Sequence, residues 1–384
     1  MKSKYDLIVV GAGVLGTFHA FHAQKAGLKV ALLEKNAAPV DATVRNFGQV
    51  VPSGMDSKWQ AYGRESLLIY KDLQERQDIS VRNHGTVYLA SDYEELTLLE
   101  ELARINLENG YSSHMMTKTE CLEKYPGLRA DYCKGGLFFP EEVTVEPRRM
   151  IHEVHTILAQ MGVDLFFNTQ VVETEALSGC VKVSALNGKA FRTQKVLICN
   201  GHDFKSLFPQ RFAESDLEVT KLQMMQTEPQ DNYRLPGSVL TGLTIRRYES
   251  FRECPSYDAI KAKEDPNSPQ KKWGVHILFK QAADGSVILG DSHQYSDAAQ
   301  ADSLGFDLDM DIDEFMITEA KKIIDLPNYR IKQRWFGLYS QCKNADLYQE
   351  TIDDNIHIIT GIGGKGMTGS AGFSRMNINQ LFNI

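Results

Sequence analysis

Three glycines in the run Gly11-Ala12-Gly13-Val14-Leu15-Gly16 have the spacing that lets a backbone turn hold a pyrophosphate. Gly11 permits the tight turn, Gly13 lets phosphate oxygens reach the chain, and Gly16 lets the following helix pack against the preceding strand. Val14 opens that helix, whose free N–H groups and dipole favour an anion. Glu34, eighteen residues after Gly16, is placed to accept the ribose hydroxyls of an adenosine half, with Lys35 beside it. A second loop of this kind, Gly361-Ile362-Gly363-Gly364-Lys365-Gly366-Met367-Thr368, lies near the other end of the chain and leads into a helix. A nicotinamide dinucleotide needs one fingerprint, whereas two loops suit a longer dinucleotide, with its pyrophosphate on the first and its ring end on the second. FAD therefore fits better than NAD. The N–H groups at Gly366, Met367 and Thr368 would stabilise negative charge at the pyrimidine end of a reduced flavin, and Lys365 could add a positive charge.

The elements around the first loop are legible. Tyr5 to Val10 is a short apolar run bounded by glycine, as a buried parallel strand should be. A helix to Gln24 and a second strand from Lys29 to Leu33 complete a β-α-β unit. Helices are predicted from Trp59 to Gln77, Tyr93 to Asn109 and Pro147 to Gln160. Strands are predicted at Thr86 to Ala90, Gly136 to Phe139, Asp164 to Phe167 and Val196 to Cys199, the last closing on Asn200-Gly201, with a hairpin over 171–194. Beyond residue 217 the pattern is strand-like at Lys221 to Thr227, Val275 to Lys280 and Ser286 to Gly290. The polar insert Lys261 to Lys272, with two prolines, reads as an exposed loop.

Composition narrows the function classes. The chain has 384 residues, 42% hydrophobic and 24% charged, which suits a globular protein of two or three domains. Its net charge of −8 and short basic pairs argue against nucleic acid as a partner. Six cysteines without a C-x-x-C pair point to free thiols in a reducing cytoplasm. No apolar run approaches the roughly 18 residues of a membrane span. His19 with His22, and His152 with His155, have helical spacing but no third ligand, so no metal site is expected. Threonine at 368 breaks the G-x-S-x-G frame of a hydrolase elbow.

Taken together, the N-terminal fingerprint, Gly135-Gly136-Leu137-Phe138 leading to Val145-Glu146-Pro147, Val196-Leu197-Ile198-Cys199-Asn200-Gly201 and Gly363-Gly364-Lys365-Gly366-Met367 resemble the D-amino-acid oxidase family of FAD enzymes, which includes glycine and sarcosine oxidases. More narrowly, Val44-Arg45-Asn46-Phe47-Gly48-Gln49, Arg247-Tyr248-Glu249-Ser250-Phe251 with Cys254-Pro255-Ser256, and Gly290-Asp291-Ser292-His293 resemble a bacterial subgroup associated with phosphonate breakdown. The resemblance implies an α/β fold: a Rossmann-like FAD-binding domain built from discontinuous segments, and an α+β substrate domain with an antiparallel sheet. On this chain the first takes 1–84, 141–216 and 335–384, and the second takes 85–140 and 217–334.

The same resemblance implies FAD and a small anionic amine as substrate; the FAD is expected to be non-covalent, because Cys342, the only thiol near the region where some sarcosine-oxidising relatives attach flavin, lies several residues beyond Gly337. Hydride leaves the carbon bearing nitrogen, the imine is hydrolysed, and O2 or another acceptor takes the electrons. Gly11, Gly13, Val14, Gly16, Glu34, Lys35, Arg45, Asn46, Phe47, Gly48, Val172, Asn200, Gly201 and the loop Gly363 to Thr368 are expected at the cofactor. Arg45, Arg247, Tyr248, His276, Tyr339 and Lys365 are the expected active-site contacts, with one of Arg246 and Arg247 facing inward from a strand and His276 and His293 on neighbouring strands. Relatives that oxidise glycine or D-amino acids commonly carry Gly-Leu-Arg where this chain reads Gly337-Leu338-Tyr339, so the bidentate carboxylate clamp is missing and an aminophosphonate becomes the favoured substrate. The competing readings are a dehydrogenase of the same fold that passes electrons to a quinone or carrier, and a flavin-binding subunit without turnover.

Overall fold

The computed structural model describes residues 4–384 and contains two large sheets. The β-α-β unit forms as its sequence predicts: β1 (Tyr5–Val10), α1 (Val14–Lys25) and β2 (Val30–Leu33). β1 pairs in parallel with β2 on one side and with the end of the strand Ala190–Ile198 on the other. That strand pairs in parallel with Ile356–Thr360. Strands from three distant stretches of chain thus meet in an eight-stranded sheet whose centre is parallel. Leu7, Ile8, Val9, Val30, Leu32 and Ile198 are fully or almost fully buried, because helices and loops cover both faces.

The second sheet has nine strands and is mostly antiparallel. Its longest pairing runs between Leu217–Pro229 and Ile331–Cys342 and sets Thr220 opposite Tyr339. The strand Ile331–Cys342 runs across residue 335 within the second sheet. Helix Pro147–Gln160 has the predicted bounds, with proline in its first turn, where its missing N–H costs nothing. Helix Ser57–Arg76 begins two residues earlier than predicted, because Asp56 accepts from Trp59 N and caps it. The polar insert is mostly exposed, but Pro269–Lys272 makes a helical turn within it.

One carboxyl sits between the layers. Glu142 is fully buried, and its Oε1 accepts from Ser53 N at 2.8 Å and Tyr111 Oη at 3.0 Å. Burial raises it from 4.5 to about 7, and these hydrogen bonds only partly offset that. The folded chain therefore holds this proton more tightly than the unfolded chain does. Its contribution to stability is full below pH 4.5 and is lost as pH rises through about 7. At about 1.4 kcal/mol per pH unit, the loss over that window is about 3 kcal/mol. Denaturant unfolding across pH 4.5 to 8 should show Glu142→Gln flattening the decline and exceeding the wild type at pH 8. An unchanged slope in the variant would assign the decline to other groups.

Candidate active site

The loop after β1 opens a long cleft between the first sheet and the second. Gly11 has φ +100°, and a Cβ there would lie 2.2 Å from the Cys199 carbonyl oxygen. A Cβ on Gly16 would lie 2.0 Å from Gly11 O, so the helix packs on the turn at a distance only glycine permits. No side chain caps α1 through Gly13, and no acid lies in its first turn. Thr43 Oγ1 accepts from Val14 N at 2.9 Å. Glu34 Oε2 accepts from Ala12 N, and Oε1 from Asn36 N, each at 3.0 Å. Asn36 Nδ2 also donates to Oε1 at 3.2 Å, and the three bonds lock the carboxylate at the cleft wall. Asn200 also lines this cleft, and its Oδ1 is buried without a partner.

At Tyr339 the cleft meets a second cavity of about 800 Å³. The glycine loop 361–364 and Met367 line both spaces, and Lys365 and Thr368 line the second. Its far wall carries Arg247, Tyr248, His276, Asp291 and His293. Arg247 donates to Tyr295 Oη at 2.7 Å. The cavity lysines are paired with carboxylates, Lys365 with Glu249 at 2.9 Å and Lys261 with Glu264 at 2.9 Å. Among the described residues no carboxylate comes within ion-pair distance of Arg247, which lines the cavity as an unpaired cation.

Burial pushes the Tyr248 and Tyr339 phenols well up, leaving both as neutral single donors. It also pushes His293 down to about 3, assisted by the Arg247 charge. Burial opposes the Asp291 carboxylate, but the two histidine rings and Arg247 outweigh it and hold Asp291 below its ordinary value. His276 Nε2 lies 2.7 Å from Asp291 Oδ1, a close contact without the alignment of a straight hydrogen bond.

Residues 6–377 match the family described as FAD dependent oxidoreductase (DAO). The chain belongs to that family. A glycine oxidase from Bacillus licheniformis is 26% identical over 94% of this chain and 88% of its own length. A glycerol 3-phosphate dehydrogenase from Caloramator mitchellensis is 22% identical over 99% of this chain and 74% of its own. Among solved structures, an FAD-bound L-alpha-glycerophosphate oxidase from Mycoplasma pneumoniae shares the fold with a TM-score of 0.79 at 18% identity, covering all of this chain and 96% of that one. The acid-free helix N-terminus, the Glu34 carboxylate at the cleft wall and the orphaned Asn200 Oδ1 fit the cofactor that defines this family.

The oxidoreductase gathers most of the expected residues around these two spaces and turns several away. Gly11, Gly13, Val14, Glu34, Lys35, Asn200 and Gly201 line the first cleft, as do Gly363, Gly364, Gly366 and Met367. Phe47 and Gly48 line the second, and Asn46 lines both while its amide ties the turn to Ala42 O and Thr43 O. Arg45 lines neither: its guanidinium is spent on Val40 O and Phe336 O, so it braces two segments. Val172 is 40% exposed and points away, since alternation along its strand turns Val171 inward.

Arg246, Arg247 and Tyr248 are not on a strand. They follow the short helix Gly242–Ile245, and this bend sends the two arginines apart. Arg246 goes to Asp92 at 2.7 Å and Glu95 at 2.8 Å, and only Arg247 reaches the large cavity. His276 and His293 flank strands Leu278–Gln281 and Ser286–Gly290 rather than lying within them. Three of the four helical histidines are tied into the fold, His19 bonded to Asn377, His22 to Ala371 O and His155 to Ala12 O, while His152 is exposed. Sequence reasoning did not place Asp291 or Tyr295 at the site. The signal was the alternate spacing of 291, 293 and 295, which puts all three on one side of an extended chain.

Two results are expected of the purified oxidoreductase. Glu34→Ala should weaken FAD retention at least tenfold, because charge-assisted hydrogen bonds are worth about 1.5–3 kcal/mol each. Glu34→Gln, which keeps one acceptor, should fall between, and unchanged FAD affinity in both would place the adenosine ribose elsewhere. Acid precipitation should release intact FAD. Cys342 lines the cavity, but burial pushes its thiol up to about 12, so it is not a thiolate at neutral pH. Flavin that stays with the pellet would show a covalent bond.

Proposed function

We propose that this oxidoreductase oxidises a small anionic amine at the carbon bearing nitrogen, and that its preferred anion is tetrahedral, as in an aminoalkylphosphonate or its N-methyl derivative. The observation that carries this reading is Arg247, a cation without a carboxylate partner, set in the cavity by Tyr295 while a neutral phenol stands at Tyr339. Arg247 binds and orients the anion. Tyr248 and Tyr339 each give a neutral hydrogen bond and, with His276, keep bulk water from the reacting carbon. When bound, FAD supplies the hydride acceptor. The amine enters neutral, its lone pair forms the C=N bond as hydride leaves, and water then hydrolyses the imine. The relatives support both halves of the substrate: one is named for a glycerol phosphate, a tetrahedral anion, and another for glycine, an amine.

Anaerobic bleaching of the flavin band by glycine, sarcosine, D-alanine, glycerol phosphate, an aminoalkylphosphonate and its N-methyl derivative tests the proposal. The phosphonates should give the highest kcat/KM. An ordinary α-amino acid preferred by about tenfold would mean that another residue binds a carboxylate. Bleaching by glycerol phosphate alone would favour the hydroxyl chemistry that the Caloramator relative's name describes. Peroxide formed in air separates an oxidase from a dehydrogenase that uses a quinone or carrier, and no bleaching by any compound would mark a flavin-binding subunit.

A further inference from the structure

The cavity wall holds a cluster whose ring nitrogens and carboxylate the proposed reaction does not use. His276, Asp291 and His293 each offer one ligand atom, and these atoms lie within 4.8 Å of one another. All three residues line the large cavity, and Asp291 is only 6% exposed. Its Oδ1 is buried without an aligned donor.

The scaffold already fixes both rings through Nδ1. His293 Nδ1 lies 2.9 Å from Gly274 O and 3.9 Å from Asp291 Oδ1, and His276 Nδ1 lies 3.2 Å from Thr244 Oγ1. A carbonyl oxygen can only accept, so His293 Nδ1 carries the proton and its Nε2 keeps a lone pair. Metal-bound histidines are generally held this way, with the second nitrogen donating to a carbonyl, carboxylate or water. With its Nδ1 donating to Thr244, His276 would set an Nε2 lone pair 2.7 Å from the Asp291 carboxylate oxygen. In that tautomer the two acceptors repel, and a cation bound beside them would turn the contact into a favourable one. The ring centroids are 5.3 Å apart. Two imidazoles bound to one tetrahedral ion through bonds of about 2.0–2.1 Å have centres about 5 Å apart.

From this geometry we propose that His276 Nε2, His293 Nε2 and the Asp291 carboxylate bind one divalent transition-metal ion of the Zn2+ class, with an open coordination position facing the cavity. Two imidazoles and one carboxylate match the donor preference of such ions, and three protein ligands leave room for an exogenous oxygen. In the enzyme as read above, that position would take an oxygen of the substrate's anionic group beside Arg247. This last step rests on the proposed function, whereas the ion site stands without it.

The test uses the FAD-loaded enzyme without substrate, dialysed against chelator and then titrated with Zn2+ by calorimetry, with bound metal counted by elemental analysis. One ion per chain is expected with a micromolar or tighter Kd. Asp291→Asn and His293→Ala should each weaken binding by about 100-fold or more. Thr244→Val, which removes the partner of His276 Nδ1 together with a capping bond to Thr241 N, should weaken it less, and His152→Ala should have no effect. The flavin spectrum and thermal midpoint of each variant report whether it has folded. Absence of stoichiometric Zn2+ binding, or binding that survives both Asp291→Asn and His293→Ala, overturns the proposal and leaves His276 as a proton donor to Asp291. A second titration with methylphosphonate present separates the two readings. Tighter Zn2+ binding supports the open position for an anion, and unchanged Zn2+ binding removes that role while leaving the ion site intact.

Discussion

Gly11→Ala should yield a protein that retains little or no FAD and unfolds at a much lower temperature than the wild type. The new Cβ would lie 2.2 Å from Cys199 O and 3.0 Å from Cys199 C. Neither atom can move cheaply, because Cys199 N donates to Val10 O at 2.8 Å and holds the end of one central strand to the next. The substitution also places an L-residue at φ +100°. Strain of this kind costs about 1–3 kcal/mol, and a backbone overlap adds to it. Gly27→Ala is the matched control: φ is +84°, but nothing lies within 4 Å of its Cβ. It should cost only about 1–2 kcal/mol and leave the flavin in place. The absorbance ratio of flavin to protein and the thermal midpoint read both effects. A Gly11→Ala protein with full flavin content would show that the turn relaxes and that the cofactor does not depend on it.

The two adjacent arginines should give opposite results. Arg247→Met is expected to lower kcat/KM for the best anionic substrate by about 100-fold or more, since charge-assisted hydrogen bonds are worth roughly twice neutral ones. Flavin content and thermal midpoint should stay near wild-type values, because Arg247 makes no direct ion pair and acts on the buried Asp291 only after the two histidine rings. Arg247→Lys should recover only part of the loss, since an ammonium lacks the planar fork. Arg246→Met should instead destabilise the fold. Arg246 pairs with Glu95, whose side chain is 3% exposed, and with Asp92. Removing one partner of a buried pair costs about 3–5 kcal/mol, and solvent near Asp92, 46% exposed, brings this case toward the lower end. If Arg247→Met leaves kcat/KM unchanged while the protein stays folded, the anion is bound elsewhere in the cavity.

The features that are legible in the sequence arise from neighbours along the chain. The β-α-β unit needs only an apolar run, three glycines and a helix of the right length, so the residue order from Tyr5 to Glu34 is enough to specify it. Pro147 sets a helix start for the same reason: a proline acts on its own φ and on the residue before it. The two glycine loops point to a long dinucleotide, and the family match agrees. Val172 and Arg45 are misplaced by sequence reasoning because facing depends on strand register and on which distant carbonyls are nearby. Val171 and Val172 are equally apolar, and only the pairing of their strand decides which one is inside.

What the sequence determined by itself was the set of groups available: the fingerprint glycines, Glu34, the second loop, and a tyrosine at 339. Tertiary structure decided their company. It carried Phe336 to the guanidinium of Arg45, sent Arg246 to an acidic helix and Arg247 to the cavity, and joined His276 to Asp291 and His293 across two strands. Those outcomes turn on contacts between residues far apart in the chain, whose geometry is set by sheet pairing and packing. The type and spacing of a side chain identify its chemistry, but which atom it meets depends on backbone that lies elsewhere in the sequence.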